Sequence, residues 1–348
     1  MIKVLIVDDS ALIRKILTDI LISDSEISVV GTARNGQEAL DKMEALKPDI
    51  VTLDIEMPLM DGLTTLKHIV SKYKLPVIMI SSLTSEGAEL TLKALDEGAV
   101  DFLPKPTNIF SLSQFDIKRE IIEKIKAGAR ANSYAKETVE KSKITKVLQN
   151  KLNIKYERFD NIVAIGTSTG GPRALQALIP ELPSDINASI VIVQHMPPKF
   201  TKSLADRLNS ISNIKIKEAE DGDILSRGWG YIAPGDYHMT VVRESSNLVI
   251  RLNKEPQVMG LRPTVDKLME SVAKIDGYLK TGIILTGMGS DGTNGVVKMK
   301  ESGSLTIAQD EATSIVYGMP KSAIATNCID IILPLNKIAN EIIKKVGV

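Results

Sequence analysis

The sequence predicts an α/β protein made of two units, each a parallel sheet covered by helices. Short apolar runs rich in β-branched residues alternate along most of the 348 residues with segments of helical apolar spacing. Strands that alternate with helices form right-handed βαβ units and a parallel sheet. The alternation is interrupted once, between residues 131 and 156, which divides the chain in two.

Five strand–helix repeats account for the first unit. Apolar runs predict its strands at residues 3–7, 28–31, 50–53, 77–80 and 99–103. Helical spacing predicts its helices at residues 11–21, 36–46, 63–72, 87–96 and 114–130. Five strands and five helices are enough for one five-stranded parallel sheet with helices on both faces. We therefore expect a first domain over residues 1–130.

The stretch between the two units is basic and has little periodicity. Residues 118–158 contain twelve basic and five acidic side chains. Lysine, serine and asparagine are common from residue 131 onwards, which is typical of a solvated linker. A docking strip for an acidic partner is the alternative interpretation. We expect a linker over residues 131–156 and a second domain over residues 157–348.

The second unit resumes the alternation with longer insertions. Apolar runs predict strands at residues 161–166, 188–193 and 282–285, and helical spacing predicts a helix at residues 174–179. The stretch 215–252 is rich in β-branched residues, glycine and turns, which predicts antiparallel hairpins. Together these patterns predict a doubly wound α/β domain with a β-hairpin.

Composition excludes several classes of function. The 43 basic and 43 acidic side chains give zero net charge, which excludes a globally basic nucleic-acid binder. A single cysteine, Cys328, excludes an internal disulfide and a thiolate zinc cluster, and three histidines disfavour a multi-histidine metal site. The sequence contains no signal-peptide pattern and no apolar run of about 20 residues, so we expect a cytoplasmic protein without membrane insertion.

Polar side chains follow the strands of the first unit. Asp8 and Asp9 follow the first predicted strand, Asp54 the third, Ser81 the fourth and Lys105 the fifth. Because the carboxyl ends of parallel strands meet at one edge of a sheet, we expect these groups to lie together. Clustered carboxylates repel one another unless a cation lies among them, and Mg²⁺ prefers such oxygens. The set indicates an aspartate that accepts a phosphoryl group. Each acidic residue taken alone is also typical of a helix N-cap.

Residues 1–130 resemble a response-regulator receiver domain, which has a flavodoxin-like five-stranded parallel sheet. The segments that carry the resemblance are Val7-Asp-Asp-Ser, Leu53-Asp-Ile-Glu-Met-Pro, Ser81 and Lys105-Pro106. The resemblance implies that a histidine kinase phosphorylates Asp54. It also implies that Mg²⁺ is bound by Asp9, Asp54 and the backbone carbonyl of Glu56, and by Asp8 through a water. Three further residues would support the phosphorylation site, namely Ser81, Phe102 (at the switch-aromatic position) and Lys105.

A glycine-rich turn in the second unit carries a candidate nucleophile. The segment Gly166-Thr-Ser-Thr-Gly fits the G-x-S-x-G pattern, in which a sharp turn exposes the serine hydroxyl. A serine nucleophile needs a base and an acid that orients the base. His195 directly follows the next strand, and Asp291 follows a later strand that ends at the same edge. We therefore predict a triad of Ser168, His195 and Asp291. The Met288 amide, between two glycines, is a candidate oxyanion donor.

Two alternative interpretations of this unit stay open at this point. A glycine-rich turn after a strand also binds the phosphates of nucleotides, although the third glycine is misplaced here and no acidic residue ends the next strand. A receiver-linked scaffold that binds its partner according to phosphorylation, without catalysis, is the second alternative. His238 is the other histidine of this unit, and we expect a loop role or a substrate contact for it.

Residues 159–348 resemble the catalytic domain of the CheB family of chemotaxis methylesterases. The matching segments are Ala164-Ile-Gly-Thr-Ser-Thr-Gly-Gly-Pro, Val193-Gln-His-Met-Pro, Ile232-Ala-Pro-Gly-Asp, Leu261-Arg-Pro-Thr-Val-Asp and Leu285-Thr-Gly-Met-Gly-Ser-Asp-Gly. The resemblance implies that Ser168 is the nucleophile, His195 the base and Asp291 the orienting acid. Two further residues would lie in the active site. Thr169 would neighbour the nucleophile, and the amide of Met288 would bind the oxyanion.

The same resemblance implies the reaction and the partners. The reaction would be hydrolysis of glutamate methyl esters, and deamidation of glutamines, on methyl-accepting chemoreceptors. The esterase reaction would need no cofactor, whereas phosphorylation of the receiver would need Mg²⁺. A chemotaxis histidine kinase would be the phosphodonor. The unphosphorylated receiver would cover the active site, and phosphorylation of Asp54 would raise the activity.

Overall fold

The computed structural model describes residues 1–105, 115–131 and 158–348. The chain divides into two compact units, Met1–Ser133 and Tyr134–Val348, and each has its own hydrophobic core. The predicted linker over residues 131–156 lies outside the described residues except for residue 131. Pro106 also lies outside them. None of the helices in the described ranges combines the length and apolar content that a bilayer crossing requires.

The first unit is a five-stranded parallel sheet between two helical layers. Its strands are β1 (Ile2–Val7), β2 (Ile27–Ala33), β3 (Ile50–Asp54), β4 (Val77–Ser81) and β5 (Asp101–Pro104). They lie in the order β2-β1-β3-β4-β5. Its helices are α1 (Ala11–Leu21), α2 (Gly36–Leu46), α3 (Gly62–His68), α4 (Ser85–Asp96) and α5 (Phe115–Ala129). Helix α1 packs against α5, whereas α2 and α4 pack on α3. The predicted fold of this unit is confirmed.

Side-chain caps explain where four of these helices begin. Ser10, Asn35, Asp61 and Thr84 each accept a hydrogen bond from the amide three residues later. Such caps satisfy amides that have no acceptor within the helix. Between two flanking strands, β3 is buried along its whole length, so its last residue, Asp54, ends inside the protein and not at its surface.

The second unit contains a seven-stranded parallel sheet and a separate hairpin. Its strands are β6 (Asn161–Thr167), β7 (Ala188–Gln194), β8 (Lys215–Glu218), β9 (Trp229–Ile232), β10 (His238–Glu244), β11 (Asn247–Asn253), β12 (Leu279–Ile284), β13 (Leu305–Gln309) and β14 (Ile331–Leu333). Its helices are α6 (Gly171–Leu178), α7 (Phe200–Ile211), α8 (Val265–Ala273), α9 (Thr293–Glu301), α10 (Met319–Ile324) and α11 (Leu335–Val346). The sheet order is β14-β13-β12-β6-β7-β9-β8. The predicted α/β fold of this unit is confirmed.

The prediction of antiparallel hairpins over residues 215–252 is only partly right. Strands β10 and β11 do pair antiparallel. Strands β8 and β9 instead extend the parallel sheet at its edge. Runs rich in β-branched residues fit either arrangement, because what they require is a half-buried pleated surface. Which neighbour a strand pairs with is decided by the rest of the sheet.

The strand order reverses beside β6, and this reversal positions the site. From β6 the chain proceeds to β7, then to β8 at the edge of the sheet, and then back to β9, which lies between β7 and β8. It later returns to β12 on the other side of β6. In open α/β sheets, binding sites form outside the carboxyl ends of strands at such a reversal. The ends of β12, β6 and β7 therefore mark the expected site.

A pair of leucine variants tests the placement of the core in the second unit. Leu268 of α8 is fully buried, whereas Leu279 is 67% exposed. We predict that Leu268→Ala lowers the free energy of unfolding by about 2–5 kcal/mol, because it leaves a cavity. Leu279→Ala, the matched control, changes it by about 0.5 kcal/mol at most. Urea unfolding, followed by the fluorescence of Trp229, measures the free energy of unfolding of both variants. Trp229 is the single tryptophan of the chain. Equal losses would contradict the placement.

Candidate active site and candidate metal centre

Three adjacent strands carry the predicted triad residues to one edge of the sheet. Ser168 directly follows β6, and His195 directly follows β7. Strands β6 and β7 are parallel neighbours in which Thr167 pairs with Gln194. Ser168 and His195, which follow these two residues, therefore leave the sheet side by side. Asp291 follows β12, on the other side of β6, and comes just before α9.

Close backbone packing shapes the turn that carries Ser168. Gly170 has a φ of 78°, in the left-handed region that glycine adopts without strain. Helix α6 begins at the next residue, which puts Ser168 near the positive end of the helix dipole. Gly287 lies so close that a Cβ there would be 2.9 Å from the Cβ of Ser168. Ser168 itself is partly exposed, as a nucleophile must be.

His195 and Asp291 are in direct contact. Nε2 of His195 lies 2.7 Å from Oδ2 of Asp291. An ionised carboxylate only accepts hydrogen bonds, so Nε2 carries the proton and Nδ1 is the basic nitrogen. Both side chains are almost fully enclosed, with 8% and 1% of their surface exposed. The structure thus brings together two of the three predicted triad residues.

The Ser168 hydroxyl makes no hydrogen bond to His195 within the described residues. The backbone of Ser168 is nevertheless held firmly, since its carbonyl accepts from the amide of Gly171 at 2.8 Å. Its own amide donates to the Thr286 carbonyl at 3.1 Å. In unliganded sites the bond between nucleophile and base is often long and shortens when substrate binds. The role of Ser168 in the triad stays a prediction.

Asp291 also caps a helix. Its Oδ2 accepts the amide of Val265 at 2.6 Å, and its Oδ1 accepts the amides of Asp266 at 3.1 Å and Gly292 at 3.0 Å. Val265 and Asp266 begin α8, where no N-cap side chain supplies an acceptor. The free amides at a helix start attract negative charge. Burial raises the pKa of Asp291, but the contacts with His195 and these amides outweigh it and leave the pKa below its ordinary value.

Asp266 caps α9 in return. Its Oδ1 accepts the amide of Gly295, in the first turn of α9, at 2.7 Å. Burial raises the pKa of Asp266, and the negative charge of Asp291 raises it further. The loop that precedes α9 therefore contributes the carboxylate that caps α8, and α8 contributes the carboxylate that caps α9. The sequence analysis missed this exchange. Thr264 before an apolar helical pattern marks a helix start, but it does not show which carboxylate faces that start.

The two further residues predicted for the active site lie beside the Ser168 turn. Thr169 is buried, and its carbonyl accepts the hydroxyl of Thr286 at 3.0 Å. Met288 is partly exposed and follows Gly287, which packs against Ser168. The Met288 amide has no acceptor among the described residues, as an oxyanion donor requires. The roles of Thr169 and Met288 stay predictions.

His238 differs from the sequence expectation. It is the first residue of β10 and not a loop residue, and it is fully buried. Nε2 donates to the carbonyl of Pro256 at 3.2 Å, so Nδ1 accepts the hydroxyl of Thr264 at 3.4 Å. Burial lowers its pKa, which favours the neutral ring. His238 thus supports the segment that enters α8, and its ring is not exposed to a substrate.

In the first unit, three carboxylates form a candidate metal centre. One carboxylate oxygen from each of Asp8, Asp9 and Asp54 lies within 4.8 Å of the other two. Oδ2 of Asp8 is buried and has no hydrogen-bond partner among the described residues. The amide of Glu56 lies 3.4 Å from Asp54, so the Glu56 backbone is next to the cluster. A buried carboxylate oxygen that accepts no hydrogen bond from the described residues, beside two other carboxylates, fits a hard divalent cation such as Mg²⁺.

The electrostatics of Asp54 follow from burial among charges. Burial raises the pKa of Asp54 to about 6, and the Asp8 carboxylate adds to the rise. Lys105 opposes it, with Nζ 2.7 Å from Oδ2 of Asp54 and 3.8 Å from Oδ2 of Asp8. Burial also raises the pKa of Asp8. Two buried carboxylates therefore share Lys105 here, and a bound cation would relieve their repulsion.

Ser81 and Phe102 lie on the neighbouring strands. Ser81 ends β4, where its hydroxyl donates to the Gly87 carbonyl at 3.1 Å and accepts from Thr91 at 2.7 Å. Its hydroxyl is therefore bound to α4. Phe102 of β5 is buried, with the Nζ of Lys124 5.3 Å from the ring centroid. The predicted roles of Ser81, Phe102 and Lys105 in phosphorylation stay predictions.

Comparison with known proteins identifies the family. Residues 163–342 match the family described as CheB methylesterase, and residues 4–115 match the response regulator receiver domain. Over 347 residues the chain is 48% identical to the protein-glutamate methylesterase/protein-glutamine glutaminase of Pyrococcus horikoshii, covering 100% of this chain and 94% of that protein. The chain belongs to the CheB methylesterase family. Its sequence-based resemblance to that family is confirmed.

Two further members of the CheB family support this assignment. The protein-glutamate methylesterase/protein-glutamine glutaminase of Bacillus subtilis is 46% identical over 348 residues, covering 98% of each chain. The crystal structure of the Thermotoga maritima CheB methylesterase catalytic domain is 46% identical and has a TM-score of 0.53. The match covers 54% of this chain and 99% of the Thermotoga maritima chain. The full-length relatives are named as enzymes, which disfavours the scaffold alternative.

The hydrogen bonds from α8 to Asp291 predict how the free energy of unfolding depends on pH. At about pH 7 we expect Asp291→Asn to lower the free energy of unfolding by about 1–3 kcal/mol, because the start of α8 loses its anionic acceptor. The folded pKa of Asp291 lies below the unfolded value of about 3.9. The stability from the ionised group is therefore present above the unfolded pKa and is lost as the pH falls through the folded pKa. The difference between wild type and variant should shrink as the solution is acidified.

Urea unfolding at several pH values, followed by Trp229 fluorescence, measures this difference. Asp185→Asn, at an exposed aspartate of the same unit, is the matched control and should show almost no loss at any pH. A loss for Asp291→Asn that is independent of pH would contradict the ionised cap.

Proposed function

We propose that this chain is a phosphorylation-activated protein-glutamate methylesterase and protein-glutamine glutaminase that uses Ser168, His195 and Asp291. The observation that carries the proposal is the 2.7 Å contact between Nε2 of His195 and Oδ2 of Asp291, at the edge where the Ser168 turn lies. A buried ionised aspartate on one ring nitrogen sets the tautomer, so that the other nitrogen acts as the general base. Names of the full-length relatives support the reaction.

In the first step, Oγ of Ser168 attacks the carbonyl carbon of a glutamate methyl ester. Nδ1 of His195 takes the serine proton, and Asp291 stabilises the imidazolium that forms. The Met288 amide donates a hydrogen bond to the oxyanion of the tetrahedral intermediate. The intermediate collapses, the bond to the methoxy oxygen breaks, and His195 gives its proton to that oxygen, which leaves as methanol. The product is an ester between Ser168 and the glutamyl group.

In the second step, water attacks this acyl-enzyme. His195 takes a proton from the water, and the bond to Oγ of Ser168 breaks as His195 returns the proton to it. The products are glutamate and the free serine. Deamidation of glutamine follows the same course, with ammonia in place of methanol. The substrates that we propose are glutamate methyl esters and glutamines of methyl-accepting chemoreceptors.

The receiver would control this reaction through Asp54. A carboxylate oxygen of Asp54 attacks the phosphorus of a phosphohistidine on a chemotaxis histidine kinase, the bond from phosphorus to the histidine nitrogen breaks, and an acyl phosphate forms. Lys105, 2.7 Å from Asp54, is placed to bind a phosphoryl oxygen. Mg²⁺, which neutralises phosphoryl charge when bound, would be held by Asp8, Asp9, Asp54 and the backbone carbonyl of Glu56.

The nucleophile is tested by removing its hydroxyl. Ser168→Ala should lower methanol release from methylated receptor membranes by at least about a thousandfold, because no acyl-enzyme can form. Ser189→Ala is the matched control, since Ser189 is a buried serine of β7 whose hydroxyl has no partner among the described residues. It should retain nearly full activity. Turnover by Ser168→Ala close to that of the control would overturn the mechanism.

The proposed activation by phosphorylation is tested by a variant of Asp54. In wild type, acetyl phosphate with Mg²⁺ should raise methanol release. Asp54→Asn should abolish this stimulation but keep the basal rate, because the amide cannot accept the phosphoryl group. Asp41→Asn, at an exposed aspartate of α2, is the control and should respond as wild type does. Stimulation that survives in Asp54→Asn would place the phosphorylation site elsewhere.

A further inference from the structure

A single glutamine joins the backbones of the two residues that react. Gln194 is the last residue of β7 and is 2% exposed. Its side-chain Nε2 donates to the carbonyl of Ser168 at 3.0 Å and to the carbonyl of His195 at 3.1 Å. One carboxamide therefore bridges the backbone of the proposed nucleophile and that of the proposed base.

The geometry requires a neutral amide at this position. Both N–H groups of a primary amide are used, one for each carbonyl. A carboxylate would present only acceptors to two carbonyl oxygens, and a hydrocarbon would present no donor at all. Oε1 is buried and has no partner among the described residues, so the hydrogen bonds of this side chain lie on its donor side.

The neighbouring glycine accommodates the carboxamide. A Cβ added at Gly171 would lie 2.0 Å from Oε1 of Gln194 and 2.4 Å from the hydroxyl oxygen of Thr167. Gly171 also donates its amide to the Ser168 carbonyl at 2.8 Å. The start of α6, the Ser168 turn and the end of β7 therefore meet around one side chain.

We propose that Gln194 is a positioning residue that fixes Ser168 relative to His195 through their carbonyl groups. The inference rests on the proposed function, because it takes Ser168 as nucleophile and His195 as base. Gln194 does not touch the reacting atoms. Since the hydroxyl of Ser168 has no hydrogen bond to His195 in the described residues, the backbone is what holds the two residues in register. Small displacements between reacting groups are enough to slow a reaction about a hundredfold.

Two glutamine variants test the proposal. Gln194→Met keeps the length of the side chain and removes both donors. We expect kcat for ester hydrolysis to fall about tenfold to a hundredfold, with KM changed less than about twofold. The rate at which a fluorophosphonate labels Ser168 should fall by a similar factor, because that reaction depends on the same base. Gln176→Met is the matched control, since Nε2 of Gln176 is also buried but makes no hydrogen bond among the described residues.

The control should keep kcat, KM and the labelling rate within about twofold of wild type. Urea unfolding of both variants shows whether each is folded. If Gln194→Met behaves like Gln176→Met, or if its loss lies in KM alone, the proposal is overturned. Inactive Ser168→Ala with a fully active Gln194→Met would refute only this inference. An active Ser168→Ala would refute the proposed function itself.

A second variant covers the case in which Gln194→Met does not fold. Gln194→Glu has the shape of the native side chain, with no donor when ionised and one O–H donor when protonated. We expect its kcat relative to wild type to rise as the pH is lowered, because protonation restores one of the two hydrogen bonds. A ratio that does not change with pH would overturn the proposal.

Discussion

The proposed active site depends on one buried carboxylate that serves two elements at once. Asp291 contacts the His195 ring and also accepts the first two amides of α8. Burying a charge is unfavourable unless hydrogen bonds replace its water. The helix start supplies those bonds, and Asp291 in turn supplies the cap that α8 lacks. The orientation of the His195 ring, the proposed base, is therefore coupled to the packing of α8 on α9, and not only to the loop that carries Asp291.

Each unit has a buried aspartate after or at the end of a sheet strand, but the electrostatic results for the two are opposite. Asp54 ends a strand beside a second carboxylate, and burial raises its pKa to about 6. Asp291 lies among hydrogen-bond donors, which hold its pKa below the ordinary value despite burial. The difference corresponds to the proposed chemistry. An acid that orients a base must stay ionised, whereas a phosphoryl acceptor beside other carboxylates needs a cation or a lysine.

Much of the fold was predictable because it follows from local patterns. Alternation of apolar runs with helical spacing predicted both parallel sheets, and the polar residues after the strands predicted where the candidate sites would lie. Errors occurred where partners are distant in sequence. Strands β8 and β9 were expected in hairpins, and His238 was expected in a loop or at the substrate. Sheet pairing and burial depend on elements far along the chain, which periodicity does not encode.

Residue types and their order along the chain predicted the chemistry that we propose for this protein. A serine in a glycine-rich turn, a histidine after the next strand and carboxylates after other strands imply acyl transfer and phosphoryl acceptance. Only the tertiary structure decided how these groups are held. The amides of α8 on Asp291 and the bridging carboxamide of Gln194 are contacts between backbone and side-chain groups. Every residue except proline carries the same backbone donor and every residue the same acceptor, so the sequence does not show which of them meet.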